Sequence, residues 1–359
     1  MEKILNMDVN RNYSPYIRVK DTVTKVMSDV ILALLPAMAV SYAVYGIAPV
    51  LVILTSILGA VVSEWIFSAI FFKKYDSVKD MSAVVTGILL ALTLAPFTPL
   101  YIVAFGASAG VIFGKLIYSG LGKNMFNPAI VGREFMTVFF PSVMSGSAIW
   151  YSQEHLRIQE INIFSTSLDD IILKNSGAVG EYSVILLVLG GLYLLVKDRI
   201  SWHIPVALFS TVFLGLYIMH FLGGNPNLSL GGLMLGGIYM ATDMPTSPSV
   251  PKGKIYYGIM MGISVIICWI HGINFEILSY SILTMNAFAV IISEVFAPKV
   301  FGIPVDRTKK LKEIILLTLG IISVSIIVAQ IHHLGLMSYL VYIYIIYTTL
   351  RLILSKSIK

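Results

Sequence analysis

Long apolar stretches alternate with short polar ones along most of the chain. A helix that crosses the hydrocarbon core of a bilayer needs about 20 mainly apolar residues, and twelve segments approach or reach this length. They form two sets of five and a final pair: 26–45, 49–72, 82–95, 100–119 and 128–144; then 182–197, 203–222, 229–242, 255–271 and 275–296; then 314–333 and 335–354. The pattern predicts an all-α polytopic membrane protein.

Two of the shorter segments resemble each other. The stretches 80–96 and 227–243 are each a short apolar run that leads into a turn rich in Pro and Thr, and each half later carries an Asn near a Phe, at Asn127 and Asn286. Short, interrupted segments at matching places in two halves indicate a site at the interface of two repeats. Because each set has an odd number of segments, the halves should have opposite orientations. The sequence therefore predicts two inverted five-helix repeats with two extra C-terminal helices.

The lysine and arginine residues predict the orientation of the segments. Basic residues concentrate in short cytoplasmic loops. If the N-terminus is inside, all of the 25 Lys and Arg residues except Arg157 and Lys174 fall in inner loops and tails. This count places Arg133 near the inner face and predicts that both termini are cytoplasmic.

These patterns divide the chain into five parts. We expect a cytoplasmic N-terminal segment at 1–25, a first repeat at 26–144, an outer-side loop at 145–181, a second repeat at 182–297, and a basic linker with a C-terminal helix pair at 298–359.

Composition narrows the class of protein further. The chain is 57% hydrophobic and 12% charged, whereas soluble domains are about 25% charged. The net charge of +6 follows from the basic inner loops, so we expect no nucleic-acid partner. The single cysteine, Cys268, excludes an iron–sulfur cluster built by this chain alone. The adjacent His332 and His333 indicate an interfacial helix end more than a metal site, and any catalysis would need a bound cofactor.

Two carboxylates inside predicted spans are candidates for an ion pathway, because buried charges in membranes are unfavourable enough to indicate function. Glu64 lies in the middle of the second segment and Glu134 in the fifth. Structural alternatives are open for both: Glu64 with a hydrogen bond to a neighbouring helix, and Glu134 with an ion pair to the adjacent Arg133.

Several dispersed blocks resemble one family of membrane proteins. The run KLIYSGLGKNMFNPAIVG at 115–132 is similar to the signature of the D subunit of the Rnf electron-transport complex and of its relative, the B subunit of the sodium-translocating NADH:quinone reductase. The blocks SPYIR (14–18), SAVVTGILLAL (82–92), WHIP (202–205) and MATDMPTSPSVPKG (240–253) agree with it.

The resemblance implies a function as well as a fold. It implies the inverted-repeat fold of urea and ammonium channels and a subunit of a translocase that couples electron transfer of the ferredoxin and NAD type to movement of Na⁺ or H⁺. This subunit is not expected to catalyse a reaction independently. The implied partners are the other Rnf subunits (A, B, C, E and G), a flavin transferase and the lipid of a prokaryotic cytoplasmic membrane.

The resemblance also implies FMN joined through its phosphate to a Thr of the outer loop, in a motif like Ser-Gly-Ala-Thr-Pro-Leu. This chain departs from the motif and reads NIFSTSL at 162–168. If a Gly-Ala pair was deleted, the acceptor is Thr166. If the stretch aligns without a gap from Ser165, the acceptor position is Leu168 and the hydroxyl is lost. Alternatively, Ser165 and Thr166 cap a short helix.

A second flavin, riboflavin held without a covalent bond near the cytoplasmic side, is implied in the same way. A flavin ring needs apolar walls and a few fixed polar groups, for which Asn124, Asn127, Thr242 and Asp243 are candidates. In the structural alternative, the two Asn residues close the turn that opens the fifth helix, with Pro128 at its first position, and Asp243 caps the following turn.

Other functions stay open because of the altered acceptor motif. The chain could be a channel or transporter for a small solute, or a flavin-free scaffold subunit of the same complex. The tail beyond residue 302 is not expected from the family. Its Tyr339, Tyr342, Tyr344 and Tyr347 indicate a surface for lipid or a neighbouring subunit.

Overall fold

The fold is entirely helical in the part of the chain that can be described. The computed structural model describes residues 21–144, 177–223, 229–273, 275–298 and 306–357, and regular structure in these ranges is helical throughout. Within the same ranges, eight helices are long and apolar enough to cross a membrane. The prediction of an all-α polytopic membrane protein is confirmed.

Each predicted segment contains a helix. In chain order these are α1 (Val23–Tyr45), α2 (Ile47–Phe67, continued by the π-helical turn Ser68–Phe72), α3 (Ser82–Leu92), α4 (Leu100–Gly114), α5 (Pro128–Phe139), α6 (Val184–Val196), α7 (His203–Phe221), α8 (Leu230–Leu235, continued by the π-helical turn Gly236–Met240), α9 (Pro251–Ile270), α10 (Ile277–Phe296), α11 (Arg307–His333) and α12 (Met337–Ser357).

The short helix α3 lies inside the bundle. Almost all of its residues are buried, and so are Leu94 and Ala95 in the loop that follows it. The carbonyl oxygens of Leu92 and Leu94 accept hydrogen bonds from the backbone N–H groups of Gly180 and Val179, at 2.9 and 2.8 Å. Irregular backbone is tolerated at membrane depth only where protein satisfies its polar groups, and here residues 179–180 do so.

Glycine residues allow α4 and α5 to pack at close range. Gly106 and Gly110 on α4 face Gly132 on α5, and a Cβ atom on Gly132 would overlap the carbonyl oxygen of Gly106. Small residues at such positions let helix backbones approach in the absence of a hydrophobic driving force between them. In the second half, Gly258 and Gly262 on α9 pack against α7 in a similar way.

Polar contacts define two ends of the bundle. At the end where α1 begins, called the N-terminal face below, Arg199 donates hydrogen bonds to Asp21 at 2.6 Å and Asp29 at 2.7 Å. The hydrogen bond from Arg199 holds the pKa of Asp21 well below its usual range. At the other end, the opposite face, α1 ends at Tyr45, whose ring meets that of Tyr182 edge-on. The start of α1 is thus tied to the loop between α6 and α7.

The two C-terminal helices pack on different halves of the bundle. Helix α11 lies against α9 and α10, whereas α12 lies against α5 and the 3₁₀ turn Leu116–Tyr118. The Tyr344 hydroxyl donates to the carbonyl oxygen of Phe113 at 2.8 Å. The expectation that Tyr344 belongs to an external contact surface is therefore wrong, because its side chain packs within the chain. Tyr339 and Tyr347 are 62% and 55% exposed, and their proposed external contact stays a prediction.

Removal of the Tyr344 hydroxyl should weaken this packing moderately. We expect Tyr344→Phe to lower the free energy of unfolding by about 1 kcal/mol, because one intramolecular hydrogen bond contributes about that much net stability. The thermal unfolding midpoint in detergent measures the effect. Tyr347→Phe, which removes an exposed hydroxyl from the same helix, is the matched control, and equal midpoints for the two variants would contradict the prediction.

Candidate functional site

Two asparagines meet in the middle of the bundle. The backbone N–H of Asn127 donates to Oδ1 of Asn286 at 3.0 Å, and Asn127 Nδ2 donates to the carbonyl oxygen of Met240 at 3.4 Å. Asn286 Nδ2 in turn donates to the Tyr257 hydroxyl at 2.9 Å. Since Asn286 lies halfway along α10, the start of α5 and the end of the π-helical turn after α8 meet at this depth.

Asn127 also starts helix α5. Its Oδ1 accepts hydrogen bonds from the backbone N–H groups of Ala129 and Ile130, and Pro128 occupies the first helical turn. Asn124 accepts a hydrogen bond from the N–H of Gly122 at 3.2 Å. The structural interpretation of Asn127 as a helix cap is confirmed, and this capping is compatible with a second role in lining a cavity.

Arg133 lies at a different depth from the one that the sequence predicted. Its guanidinium donates to the carbonyl oxygen of Thr93 and forms a two-point ion pair with Glu276, which immediately precedes α10 at the opposite face. The placement of Arg133 near the inner face is therefore wrong. The physical reason is that α5 begins in the middle of the bundle, at Asn127, and runs from there towards the opposite face. Arg133 also pairs with Glu276 and not with its neighbour Glu134.

A small polar cavity lies on the N-terminal side of the two asparagines. It measures about 40 Å³, and its polar lining comprises Ser82, Thr86, Lys115, Asn124, Asn127 and Asp243. Three of the four candidate flavin residues thus share one cavity. The fourth, Thr242, is buried and donates its hydroxyl to the carbonyl oxygen of Ile238. Asp243 accepts a hydrogen bond from Thr246 at 3.0 Å, as its structural alternative requires.

A buried ion pair adjoins this cavity. Nζ of Lys115 donates to both carboxylate oxygens of Glu64 at 2.8 Å and also to the Ser82 hydroxyl. The Lys115 and Glu64 side chains are 2% and 1% exposed. Asp80, which is partly exposed, lies 3.9 Å from Lys115 and accepts hydrogen bonds from Ser82. Sequence reasoning found Glu64 but missed Lys115, because a lysine just after an apolar run looks like an ordinary loop residue.

A second polar cluster lies towards the opposite face. The carboxyl groups of Glu134, Glu181 and Glu276 act electrostatically on Arg133, and Glu276 also acts on Glu134. Glu181 accepts a hydrogen bond from the Ser229 hydroxyl at 2.9 Å. A cavity of about 60 Å³ beside the cluster is lined by Arg133, Glu181 and mainly apolar residues of α8 and α10. The only sequence signal for Glu276 was its position at the start of an apolar segment.

The cavities are small in comparison with a flavin. A pocket for a ligand of this size measures roughly 300–1,000 Å³, whereas the two cavities measure about 40 and 60 Å³. In this conformation the cavity beside Asn127 is too small for riboflavin, and the riboflavin site stays a prediction. Thr166 lies outside the described residues.

His332 and His333 lie at the end of α11. His332 contacts the Tyr280 hydroxyl and His333 the carbonyl oxygen of His271, at the turn between α11 and α12. Among the described residues, no group of three or more His, Cys, Asp or Glu side chains is arranged to hold a metal ion.

Taken together, the fold and these clusters define a class of protein: a multi-pass membrane protein with buried ion pairs and polar cavities inside its helix bundle, as in membrane subunits that move ions or protons. Comparison with known sequences identifies the family. The chain belongs to the NQR2, RnfD, RnfE family, whose family model matches residues 10–302. The match ends before α11 begins, so the C-terminal helix pair lies outside it.

Individual relatives cover most of the chain. The D subunit of the proton-translocating ferredoxin:NAD(+) oxidoreductase complex of Clostridium ljungdahlii is 35% identical over 316 residues, which are 80% of this chain and 95% of the relative. The D subunit of the Na(+)-translocating ferredoxin:NAD(+) oxidoreductase complex of Acetobacterium woodii is 34% identical over 312 residues, 83% of this chain and 96% of the relative. The B subunit of the Na(+)-translocating NADH-quinone reductase of Pseudomonas paraeruginosa is 33% identical over 232 residues, 58% of each chain.

Proposed function

We propose that this chain is the D-type membrane subunit of a complex that couples electron transfer from ferredoxin to NAD⁺ with ion translocation. The observation that carries the proposal is the match over 95% and 96% of the length of two D subunits. The shorter match to an NADH-quinone reductase subunit covers 58% of each chain, so the D-type assignment is preferred. In this role the chain is part of an oxidoreductase complex and does not act alone.

The proposed architecture is a pair of inverted repeats, α1–α5 and α6–α10. Three features support it. The short helices α3 and α8 occupy the third place in each half, α2 packs on α4 as α7 packs on α9, and Asn127 and Asn286 from the two halves are hydrogen-bonded to each other. A site at the repeat interface is typical of this plan.

The proposed orientation places the N-terminal face in the cytoplasm of a prokaryotic cell. The support is the distribution of basic residues, since loops at this face carry Lys73, Lys74, Lys79, Lys197 and Arg199 and such residues favour the cytoplasmic side. The opposite face is then the outer face. The proposed partners are the A, B, C, E and G subunits and a flavin transferase.

The two polar cavities mark the proposed ion pathway. The cavity on the side of the N-terminal face, the inner cavity, is lined by Asn127. The cavity on the side of the opposite face, the outer cavity, is lined by Ile130 and Met240. The hydrogen bond from Asn127 to Met240 lies between them. We call Asn127, its partner Met240 and the adjoining Asn286 the Asn127 layer. An ion would pass from the region of Glu64 to that of Glu134 only when the Asn127 layer opens.

We further propose that the outer-side loop carries FMN at Thr166, which would make the chain an electron carrier. The support is the Thr-Ser-Leu sequence at 166–168, which takes the place of Thr-Pro-Leu in the acceptor motif if a Gly-Ala pair was deleted. Covalently bound flavin survives denaturation, so it is seen as a fluorescent band in a denaturing gel. We expect a band when the chain is co-expressed with its flavin transferase, and we expect Thr166→Ala to abolish it.

Two neighbouring hydroxyl residues provide matched controls. Ser165→Ala and Ser167→Ala should keep the band, because neither residue occupies the proposed acceptor position. A band that persists in Thr166→Ala but disappears in either serine variant would move the attachment to that serine. A complete absence of the band in the wild-type chain would refute covalent attachment.

The altered motif favours a second candidate function, a scaffold subunit without flavin. A wild-type chain that shows no fluorescent band, in a native complex from which no flavin can be extracted, would support it. A small-solute channel is less favoured, because the polar cavities on the two sides of the Asn127 layer measure only about 40 and 60 Å³.

A further inference from the structure

The cluster near the outer face carries more acidic than basic groups. Arg133 is surrounded by the carboxyl groups of Glu134, Glu181 and Glu276. An ionised carboxylate without a partner is strongly unfavourable in a protein interior. Glu134 and Glu276 are buried, whereas Glu181 is partly exposed and accepts a hydrogen bond from Ser229. If both buried carboxyl groups were ionised, one negative charge would be uncompensated beside Arg133. At least one of these groups therefore needs a bound proton or another cation.

Glu134 is the buried carboxyl group that the guanidinium leaves unpaired. Arg133 uses Nε and Nη2 on the two oxygens of Glu276, at 3.1 and 3.3 Å, and its further hydrogen bonds go to backbone carbonyl oxygens. Glu134 is 5% exposed, and its Oε1 has no hydrogen-bond partner among the described residues. Its carboxyl group interacts with the neighbouring Glu276 carboxyl group and with Ser279. Two carboxyl groups that interact closely in a buried site share one proton instead of both ionising.

Polar side chains lie between this pair and the outer face. Tyr280 follows Glu276 by four residues at the start of α10, so the two side chains lie on the same face of the helix, and the charges of Glu134 and Glu276 act on the Tyr280 hydroxyl. This hydroxyl is hydrogen-bonded to Nδ1 of His332 at 2.9 Å. His332 is partly exposed, and His333 next to it is exposed. Chains of carboxyl, hydroxyl and imidazole groups are typical proton relays in membrane proteins.

We propose that Glu134 and Glu276 hold one proton between them and exchange it with water at the outer face through Tyr280 and His332. In release, the carboxyl pair gives up its proton, the Tyr280 hydroxyl receives one proton as it passes another to Nδ1 of His332, and Nε2 of His332 releases one to water. One proton leaves and no electron moves. The inference rests on the proposed coupling to ion movement and deepens it by naming the ion that this cluster binds.

The surroundings favour a proton over a metal ion. The carboxyl groups face a guanidinium and each other, and no described group of three or more ligating side chains is arranged for a metal. The titratable groups around the pair, Arg133 and Tyr280 come from several elements: Glu181 before α6, Cys268 on α9 and His332 on α11, besides Arg133 on α5 and Tyr280 on α10 themselves. Since α11 lies outside the family match, this outer end of the relay belongs to the added helix pair.

Infrared spectroscopy of the purified complex tests the bound proton. A protonated carboxyl group gives a C=O band that shifts in D₂O. We expect this band in the wild type, its loss in Glu134→Gln, and a displaced band in Glu134→Asp, which keeps a protonatable group. Glu313→Gln changes an exposed carboxylate on α11 and should leave the band intact. Identical spectra for the wild type and Glu134→Gln would overturn the proposal.

Transport by the reconstituted complex tests the relay. We expect Tyr280→Phe and His332→Gln to slow ferredoxin-driven proton movement, measured per amount of assembled complex, at least about tenfold. Tyr339→Phe, an exposed position in the same helix pair, is the control. Wild-type rates in both relay variants would overturn the relay. A wild-type complex that reduces NAD⁺ without moving any ion would refute the proposed function instead, and the infrared band would still decide whether the proton is held.

Discussion

Lys115→Met should destabilise the chain by about 3–5 kcal/mol, the loss typical of a buried ion pair that is broken by removal of one partner. The variant leaves the Glu64 carboxylate in the bundle without its cation, although Met fills much of the volume of the lysine stem. Heating of the detergent-solubilised complex, followed by size-exclusion chromatography, would measure the loss as a lower temperature at which half of the complex disappears.

A second substitution separates charge from packing in this test. The double variant Lys115→Met with Glu64→Gln removes both charges, and we expect it to recover most of the lost stability because a neutral pair is less unfavourable to bury. Lys79→Met breaks an ion pair to Asp76 in which both side chains are more than three-quarters exposed, so it should change stability by less than about 1 kcal/mol. A double variant as unstable as Lys115→Met alone would show that the charge was not the cause.

Gly132→Ala is expected to lower stability by about 3 kcal/mol, at the upper end of the usual range for overpacking. Its new methyl group would overlap the backbone carbonyl of Gly106, and Gly110 lies 3.3 Å from the same position. Backbone atoms cannot rotate away as a side chain can, so α4 and α5 must separate. The same chromatographic assay measures the effect.

The matched control for this variant is another helical glycine. Gly320 on α11 has no atom within 4 Å of the position that a new methyl group would occupy, and alanine is the better helix former by about 1 kcal/mol. Gly320→Ala should therefore be neutral or stabilising. If Gly132→Ala were equally tolerated, the close approach of α4 and α5 would not be a source of stability.

The sequence predicted the helices well because bilayer thickness imposes a length on apolar runs. The short helices α3 and α8 could also be recognised, since Gly, Pro and Thr residues interrupt them. The depth at which a helix starts within the membrane was harder to predict. The run around Arg133 looks like a helix that starts at the membrane surface, and only the contact of Asn127 with Asn286 fixes its start in the middle of the bundle.

The candidate sites were predicted only in part, for a related reason. Glu64 and Glu134 could be selected from sequence because a carboxylate inside an apolar span is conspicuous. Their environments depend on residues distant in sequence: Lys115 is 51 positions from Glu64, and Glu276 is 143 positions from Arg133. A single sequence contains no signal for contacts between residues so far apart. The relay through His332 depends on the packing of the C-terminal helix pair, which lies outside the family match.

The C-terminal helix pair also limits how the bundle can move. Helix α11 is fastened to the second half, where Tyr256 and Thr318 are hydrogen-bonded at 2.8 Å, and α12 to the first half, through Tyr344 and Phe113. Rocking of one half against the other is the usual form of alternating access. In this chain it would strain the C-terminal helix pair, which is attached to both halves. We therefore expect the Asn127 layer of this chain to open by local rearrangement of side chains and not by rotation of one half of the bundle against the other.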